Sequence, residues 1–266
     1  MSFPLFKNTL KRNYAIAISI LAILIMYLSI INTMYDPAQE TTFKDMLDML
    51  PQGLVAAMGF SNISSDLTSF LVHYYYGFII FMFPMIYFIT VANRLIAQHV
   101  DNGSMSFYLS TPITRIKIAV TQAAYLILSI LFMHSIIAIL GIIISETTFP
   151  GMLDVSVFIK INIGATFLII ALSSFSFFFS CLFNRANKSI AFGAAVPLTF
   201  FAMNMLSNIS DKYSIISNLT IFSIFDVDKI MQGELSIVLV VFMFSLIASI
   251  FYSAGIYAFS KKDLPI

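Results

Sequence analysis

The sequence of 266 residues is poor in charge, has one cysteine and contains no tryptophan. Only 10% of its residues are charged, which excludes an ordinary soluble protein, in which about a quarter are charged. The single cysteine, Cys181, excludes a disulfide within the chain and a metal site built from several cysteines. The absence of tryptophan, together with abundant phenylalanine, isoleucine and asparagine, suits an AT-rich bacterial genome.

The sequence also lacks the local patterns of several catalytic and transport sites. It contains no Walker phosphate loop, no His-Glu-x-x-His zinc motif and no Gly-x-Ser-x-Gly nucleophile turn. Its apolar runs hold no paired acidic residues that would relay protons or coordinate sodium. We therefore expect no enzymatic activity, no metal site and no nucleic-acid partner, and we expect any uphill transport to draw its free energy from a partner.

What the sequence does contain is a series of long apolar runs, and 59% of its residues are hydrophobic. A helix that crosses a bilayer needs about 20 predominantly apolar residues. The pattern predicts one all-α integral membrane domain over 1–266, and the fifth of its spans is short, with the least defined limits. The six predicted spans are residues 14–34, 69–93, 118–144, 156–183, 190–206 and 235–259.

The distribution of basic residues predicts the orientation of these spans, because segments on the cytoplasmic side of a membrane are rich in lysine and arginine. With both termini in the cytoplasm, only Asp101 and Asp263 of the acidic residues lie on the inner side. Ten of the 14 basic residues then lie on that side: Lys7, Lys11, Arg12, Arg94, Arg115, Lys117, Arg185, Lys188, Lys261 and Lys262.

Several features outside and within the spans carry further predictions. Residues 1–13 place apolar side chains at helical spacing beside cations, which favours an N-terminal helix lying in the membrane interface. Residues 215–224 are apolar but too short to span, so we expect an outer hairpin before the last span. Pro84 and Pro197 each remove a helical hydrogen bond, which predicts a kink at both positions.

Three polar residues lie in or beside the apolar runs, and each is a candidate for the transport pathway or for a contact between helices. They are His134, Gln122 and Asn204. An ionisable residue at membrane depth is a functional candidate because its desolvation is costly. A neutral histidine that is hydrogen-bonded to a neighbouring helix would explain His134 equally well, so both interpretations stay open.

The most informative segment is the polar stretch Arg94–Lys117, which lies between the second and third predicted spans. In it Asp101-x-Gly103 precedes a short amphipathic stretch that ends in Leu109-x-x-Pro112-x-x-Arg115. This pattern resembles the first cytoplasmic loop of type-2 ABC exporter permeases, and the ending Phe259–Leu264 is similar to that of the family. The chain differs at two places, since Gln122 stands where many members have lysine, and Gln98 and His99 stand where an acidic residue is common.

The resemblance implies a multi-pass permease subunit in a bacterial plasma membrane. A second permease subunit, identical or different, would complete the membrane pathway, and cytoplasmic ABC ATPase subunits would bind ATP and Mg²⁺. The loop helix around Asn102–Leu109 would lie in a groove of the ATPase, with Pro112 fixing the turn and Arg115 holding the helix in place. The implied coupling residues are Asp101, Asn102, Gly103, Tyr108, Leu109, Pro112 and Arg115.

The cargo is predicted only from the character of the spans. Apolar and aromatic spans with few charges favour an amphipathic or hydrophobic molecule, such as a peptide, a toxin or a drug. One alternative is an ABC-linked membrane scaffold or sensor that moves no substrate. Another is a channel or carrier that works without an ATPase.

Overall fold

The structure, a computed structural model, describes residues 1–35, 49–60, 66–209 and 214–264. These residues form helices and no strands, and six helices are long and apolar enough to cross a membrane. The prediction of an all-α protein with six spans is therefore confirmed. We call these helices spans 1 to 6: Phe3–Met34, Leu67–Asp101, Arg115–Thr148, Val155–Leu182, Ala186–Ile209 and Ile237–Lys261.

Polar side chains cap the first turns of spans 3 and 4, which begin before the apolar runs. Span 3 begins at Arg115, where the Thr114 hydroxyl accepts a hydrogen bond from the Lys117 amide at 3.3 Å. Span 4 begins after Asp154, whose carboxylate accepts from the Val157 amide at 3.0 Å. Span 5, predicted to be short, has 24 residues and is long enough to cross a bilayer.

The N-terminal residues do not form a separate helix. Residues 3–13, predicted to lie in the membrane interface, are the first part of span 1, which runs unbroken from Phe3 to Met34. The sequence from 5 to 34 contains no proline or glycine that would end a helix. The side chains of Thr9 and Asn13 are buried inside the protein, so this part of the helix is held by protein contacts.

Span 4 lies at the centre of the bundle, packed against spans 2, 3, 5 and 6, and span 1 packs along span 3. Small residues let these helices approach closely. The Ser176 hydroxyl donates to the Gly193 carbonyl of span 5 at 2.6 Å. A Cβ atom at Gly255 in span 6 would lie 3.2 Å from the Cα of Phe178, so a larger residue would push the two helices apart.

Span 2 is irregular at two points. A π-helical turn, Tyr75–Ile79, separates the α-helices Leu67–Tyr74 and Ile80–Leu95. The helix breaks again at Ile96, and there the Ala97 amide donates to the Ser180 hydroxyl at 3.1 Å. This bond satisfies a backbone group that the break would otherwise leave unpaired.

The two prolines have different surroundings. Pro84 follows the π-helical turn by about one turn of helix, and it leaves the carbonyl of Ile80 without the amide that normally bonds to it. Pro197 lies within an α-helix that continues on both sides. The kinks at both positions stay predictions.

The segment before span 6, where an outer hairpin was predicted, consists of short helical pieces in the part that the structure describes. They are Ser214–Ser217, a 3₁₀ turn at Ile221–Ile224, and Val227–Gln232. Phe222 and Phe225 present their edges to the ring of Phe81 in span 2, with centroids 5.4 and 6.0 Å apart. The segment therefore folds back against the bundle.

The bundle has two distinct ends. The backbone amide of Ser2 donates to the Thr121 hydroxyl at 2.8 Å, and Arg115 donates to the Lys262 carbonyl at 2.7 Å. Both termini therefore meet the start of span 3, at what we call the loop end. The opposite end, which holds residues 214–232, is called the cavity end.

Candidate functional site

The loop between spans 2 and 3 has a defined shape at the loop end. After the short helix Ala97–Asp101 the chain turns at Gly103, whose φ of 73° lies in the left-handed region that favours glycine. The Asn102 side chain accepts from the Ser104 amide at 3.0 Å and closes this turn. A second short helix, Met105–Leu109, follows and leads through an exposed turn at Pro112 to span 3.

Asp101 connects this loop to the loop between spans 4 and 5. Its carboxylate accepts a hydrogen bond from the amide of Ala186 at 3.1 Å. Ala186 is the first residue of span 5, where backbone amides lack helical partners and the helix dipole favours a negative charge. Asp101 therefore caps span 5 from a distant part of the chain.

Arg115 connects the start of span 3 to the C-terminal residues. Its guanidinium donates to the carbonyl of Lys262. The ammonium of Lys262 in turn donates to the carbonyls of Cys181 and Phe183, at 2.9 Å each, and so caps the end of span 4. Burial lowers the pKa of Lys262 to about 8. We call this set of contacts the tail clasp.

Span 1 is connected to the loop by a chain of hydrogen bonds through His99. The guanidinium of Arg12 donates to Nε2 of His99 at 2.8 Å, because arginine is only a donor. The other ring nitrogen, Nδ1, then carries the proton and donates to the Ser104 hydroxyl at 2.7 Å. Ser104 donates onward to the Asn102 side chain at 2.6 Å. His99 is only 5% exposed, and Tyr108 packs edge-on against its ring.

Gln122 also lies at the loop end, between spans 1 and 3. It is 2% exposed, and its side-chain oxygen accepts from the Thr9 hydroxyl at 3.1 Å. Together with the Ser2 to Thr121 bond, this contact fastens the first turns of span 1 to the first turns of span 3.

The loop helix Met105–Leu109 has one buried face and one exposed face. Met105 is buried, and Tyr108 and Leu109 pack against the core. Phe107 is 77% exposed. Tyr108 and Leu109 were predicted from the sequence, whereas Phe107 was not, although helical spacing places residue 107 on the face opposite Met105 and Leu109. Aromatic side chains, phenylalanine included, are enriched at protein interfaces.

The other predicted residues lie elsewhere. His134 is 1% exposed within the bundle, and neither of its ring nitrogens has a hydrogen-bond partner among the described residues. Asn204 lies near the end of span 5 and lines a cavity at the cavity end. The structure therefore brings together the seven predicted coupling residues and Gln122, and it separates His134 and Asn204 from them.

Six apolar spans define the class of protein, a multi-pass membrane protein, and a structured polar loop joins spans 2 and 3. Among the described residues there is no group of histidine, cysteine and acidic side chains that would hold a metal ion.

Comparison with known families agrees with this class. A model of the family described as ABC-2 family transporter protein matches residues 6–264, and the chain belongs to that family. It is a multi-pass membrane protein and a permease subunit of an ABC transporter, a kind of subunit that associates with an ABC ATPase. No curated protein and no solved structure matched the chain.

Proposed function

We propose that the chain is the permease of an ATP-driven exporter and that its ATPase docks on the loop helix Met105–Leu109. The observation that carries this proposal is the exposed ring of Phe107 on a helix whose other face is packed against the protein. Buried aromatic anchors surrounded by polar residues contribute much of the binding energy of protein interfaces. Here Phe107 is the anchor, and the exposed residues Asn102, Ser110 and Thr111 form part of the rim.

The contacts behind the loop give a route by which movement of the ATPase would reach the spans. Displacement of the loop would act on span 1 through His99, on span 5 through Asp101, and on span 6 through Arg115 and the tail clasp. A loop that bound both ATPase states equally would shift no equilibrium, so the ATP-bound and ATP-free forms must contact it with different affinity.

The cargo in this proposal is an amphipathic or hydrophobic molecule such as a peptide, toxin or drug, moved outward. The apolar character of the spans supports this choice. The ATP and Mg²⁺ would be held by the ATPase. A second permease subunit, the partner in a homodimer or heterodimer, would supply the rest of the pathway. Many apolar side chains on spans 1, 3 and 6 are exposed in the single chain, so they are available for contact with that subunit or with lipid.

The test of docking is a mild-detergent pull-down of the tagged chain from its native membrane, with detection of ATPases by mass spectrometry. The variant Phe107→Asp removes the anchor without touching the contacts of Asp101 or Arg115. We expect recovery of the ATPase to fall by roughly 30-fold, the equivalent of about 2 kcal/mol at an interface hot spot. Undiminished recovery would overturn docking at Phe107.

The matched control is Asn187→Asp, which introduces the same charge at an exposed polar position of the loop end, outside the loop helix and its rim. We expect this variant to recover the ATPase nearly as well as the wild type. Arg115→Glu provides a second arm, in which the ATPase binds but its activity is no longer stimulated by the permease. Cargo transport, measured in vesicles, distinguishes an exporter from a scaffold or sensor that moves no substrate. If the pull-down recovers no ATPase, a channel or carrier is favoured instead.

A further inference from the structure

A cavity of about 610 Å³ lies at the cavity end, far from the loop that the proposed function uses. Its walls come from four separate parts of the chain: Ala56 and Gly59 before span 2, span 2 itself, the end of span 5, and residues 217–229. Binding sites for small ligands typically have volumes of about 300–1,000 Å³. The cavity is therefore large enough to hold a ligand or a short stretch of peptide.

The floor of the cavity is aromatic. Four buried aromatic side chains line it: Tyr76 and Phe81 of span 2, and Phe222 and Phe225 of the segment before span 6. The rings of Phe222 and Phe225 meet Phe81 edge to face, which fixes their positions. A floor of this kind suits an apolar side chain of a ligand.

The rim of the cavity carries amide side chains. Asn204 and Asn208 extend from span 5, and Asn218 faces the cavity from the segment before span 6. Within the part of the chain that the structure describes, none of these three side chains has a hydrogen-bond partner in the protein. Each amide offers both donors and an acceptor, which is the pattern that a peptide backbone requires.

The charged groups of the wall are paired with one another. The Lys229 ammonium lies 2.8 Å from the Asp226 carboxylate, and Nε2 of His73 lies 3.2 Å from the Asp228 carboxylate. A charged ligand would therefore meet no unpaired opposite charge among these four groups, and its desolvation would be costly. A neutral ligand carries no such cost.

The π-helical turn of span 2 supplies part of the wall. Tyr76 and Gly77 lie in this turn, and turns of this kind within α-helices are frequent at functional sites. A Cβ atom at residue 77 would lie 2.8 Å from the carbonyl oxygen of Met58, so only glycine lets these two wall segments meet.

We propose that this cavity binds a neutral amphipathic peptide segment, with an apolar side chain on the aromatic floor and the peptide backbone on the asparagine amides. The proposal rests on the proposed function, since it names peptide as the class of cargo. It adds a site within a single subunit, at the end of the bundle opposite the ATPase-docking loop.

The test uses the full chain in lipid nanodiscs of phosphatidylcholine and phosphatidylglycerol, without any ATPase. Asn204→Cys places a thiol in the rim, and the native Cys181 is completely buried, so it does not react. The rate of labelling by a maleimide dye is measured with increasing acetyl-Phe-Gly-Phe-Gly-amide. We expect labelling to slow about tenfold at a peptide concentration about ten times its Kd. Lys188→Cys, exposed at the loop end, should label at an unchanged rate.

Charge and side-chain variants of the peptide complete the test. Acetyl-Gly-Gly-Gly-Gly-amide should protect at least several-fold less well, and equal protection would contradict a role for the aromatic floor. Tighter protection by acetyl-Phe-Lys-Phe-Lys-amide or acetyl-Phe-Glu-Phe-Glu-amide would overturn the neutral assignment. Protection by no peptide, confirmed with Asn218→Cys on the facing wall, would overturn the site. Because the assay lacks an ATPase, that result would leave docking at Phe107 untouched.

Discussion

The two ends of the bundle use polar side chains in opposite ways. At the loop end, Arg12, His99, Asp101 and Arg115 all bond to distant parts of the same chain, and the most exposed aromatic ring is that of Phe107. At the cavity end the charges are paired in the wall, and amides face an open volume. The first arrangement ties segments together, whereas the second leaves hydrogen-bonding groups for a ligand.

This difference indicates that the two ends of one helix bundle are suited to two kinds of partner. A surface that transmits movement must be fixed to the helices behind it, since a loosely attached loop would absorb the displacement. A surface that binds cargo must instead keep donors and acceptors available. Substitutions confined to one end can therefore separate the two roles.

The largest expected effect is that of Gly77→Ala at the cavity end. The added Cβ would lie 2.8 Å from the Met58 carbonyl oxygen, and relief requires a shift of the backbone. We expect a loss of roughly 1–3 kcal/mol in stability, measured as a lower midpoint of thermal unfolding in nanodiscs. Gly53→Ala is the control, because a Cβ at that residue meets nothing within 4 Å. Equal midpoints for the two variants would contradict the close approach.

The next effect is that of His99→Ala at the loop end. The change leaves the Arg12 guanidinium and the Ser104 hydroxyl without their shared partner, at a cost of about 1–3 kcal/mol. We expect faster hydrogen exchange over residues 102–112 and about tenfold weaker coupling of ATP hydrolysis to transport, with the ATPase still bound. His73→Ala, a histidine at the cavity end, should leave that exchange unchanged. Faster exchange in both variants would remove the distinction between the ends.

A smaller effect is expected for Asp228→Asn. The Asp228 side chain is 50% exposed, so its pairing with His73 is screened by solvent and contributes at most about 1 kcal/mol. We expect faster hydrogen exchange in the helix Val227–Gln232 and unchanged recovery of the ATPase. Loss of the ATPase in this variant would mean that the two ends are strongly coupled even without cargo.

The smallest effect concerns the tail clasp and pH. Burial lowers the pKa of Lys262 to about 8 from 10.5, so between these values the unfolded chain binds more protons than the folded one. Stability from this group therefore rises as pH increases from about 8 towards 10.5. We expect the unfolding midpoint to rise slightly more between pH 8 and 10 in the wild type than in Lys262→Met. A steeper rise in the variant would contradict the burial of the charge.

The sequence was sufficient to predict the six spans and the polar loop between spans 2 and 3. Apolar runs of membrane length, and a polar break between two of them, are local signals that can be read without the fold. It did not predict that residues 3–13, which look amphipathic in isolation, continue into span 1; their position relative to the membrane interface stays a prediction. The partners of this part of the chain, Gln122 for Thr9 and Thr121 for Ser2, lie more than a hundred positions away and are known only once the chain is folded.

The same limit applies to the candidate site. His99 entered the sequence analysis only as a departure from a family pattern, and its bond to Arg12 spans 87 positions. Asp101 was predicted for the loop but not as the cap of span 5. Phe107 was missed because the family pattern drew attention to its neighbours. The location of the termini in the cytoplasm and the roles of His134, Pro84 and Pro197 stay predictions.

The most direct measurement is hydrogen–deuterium exchange of the chain in nanodiscs, with and without the ATPase recovered from the native membrane. Docking on the loop helix predicts protection over residues 101–112, the largest near Phe107, and no change over residues 217–232. ATP added with Mg²⁺ should then alter the protection at the loop. Protection at the cavity end alone, or at neither end, would contradict the assignment of the loop end to the ATPase.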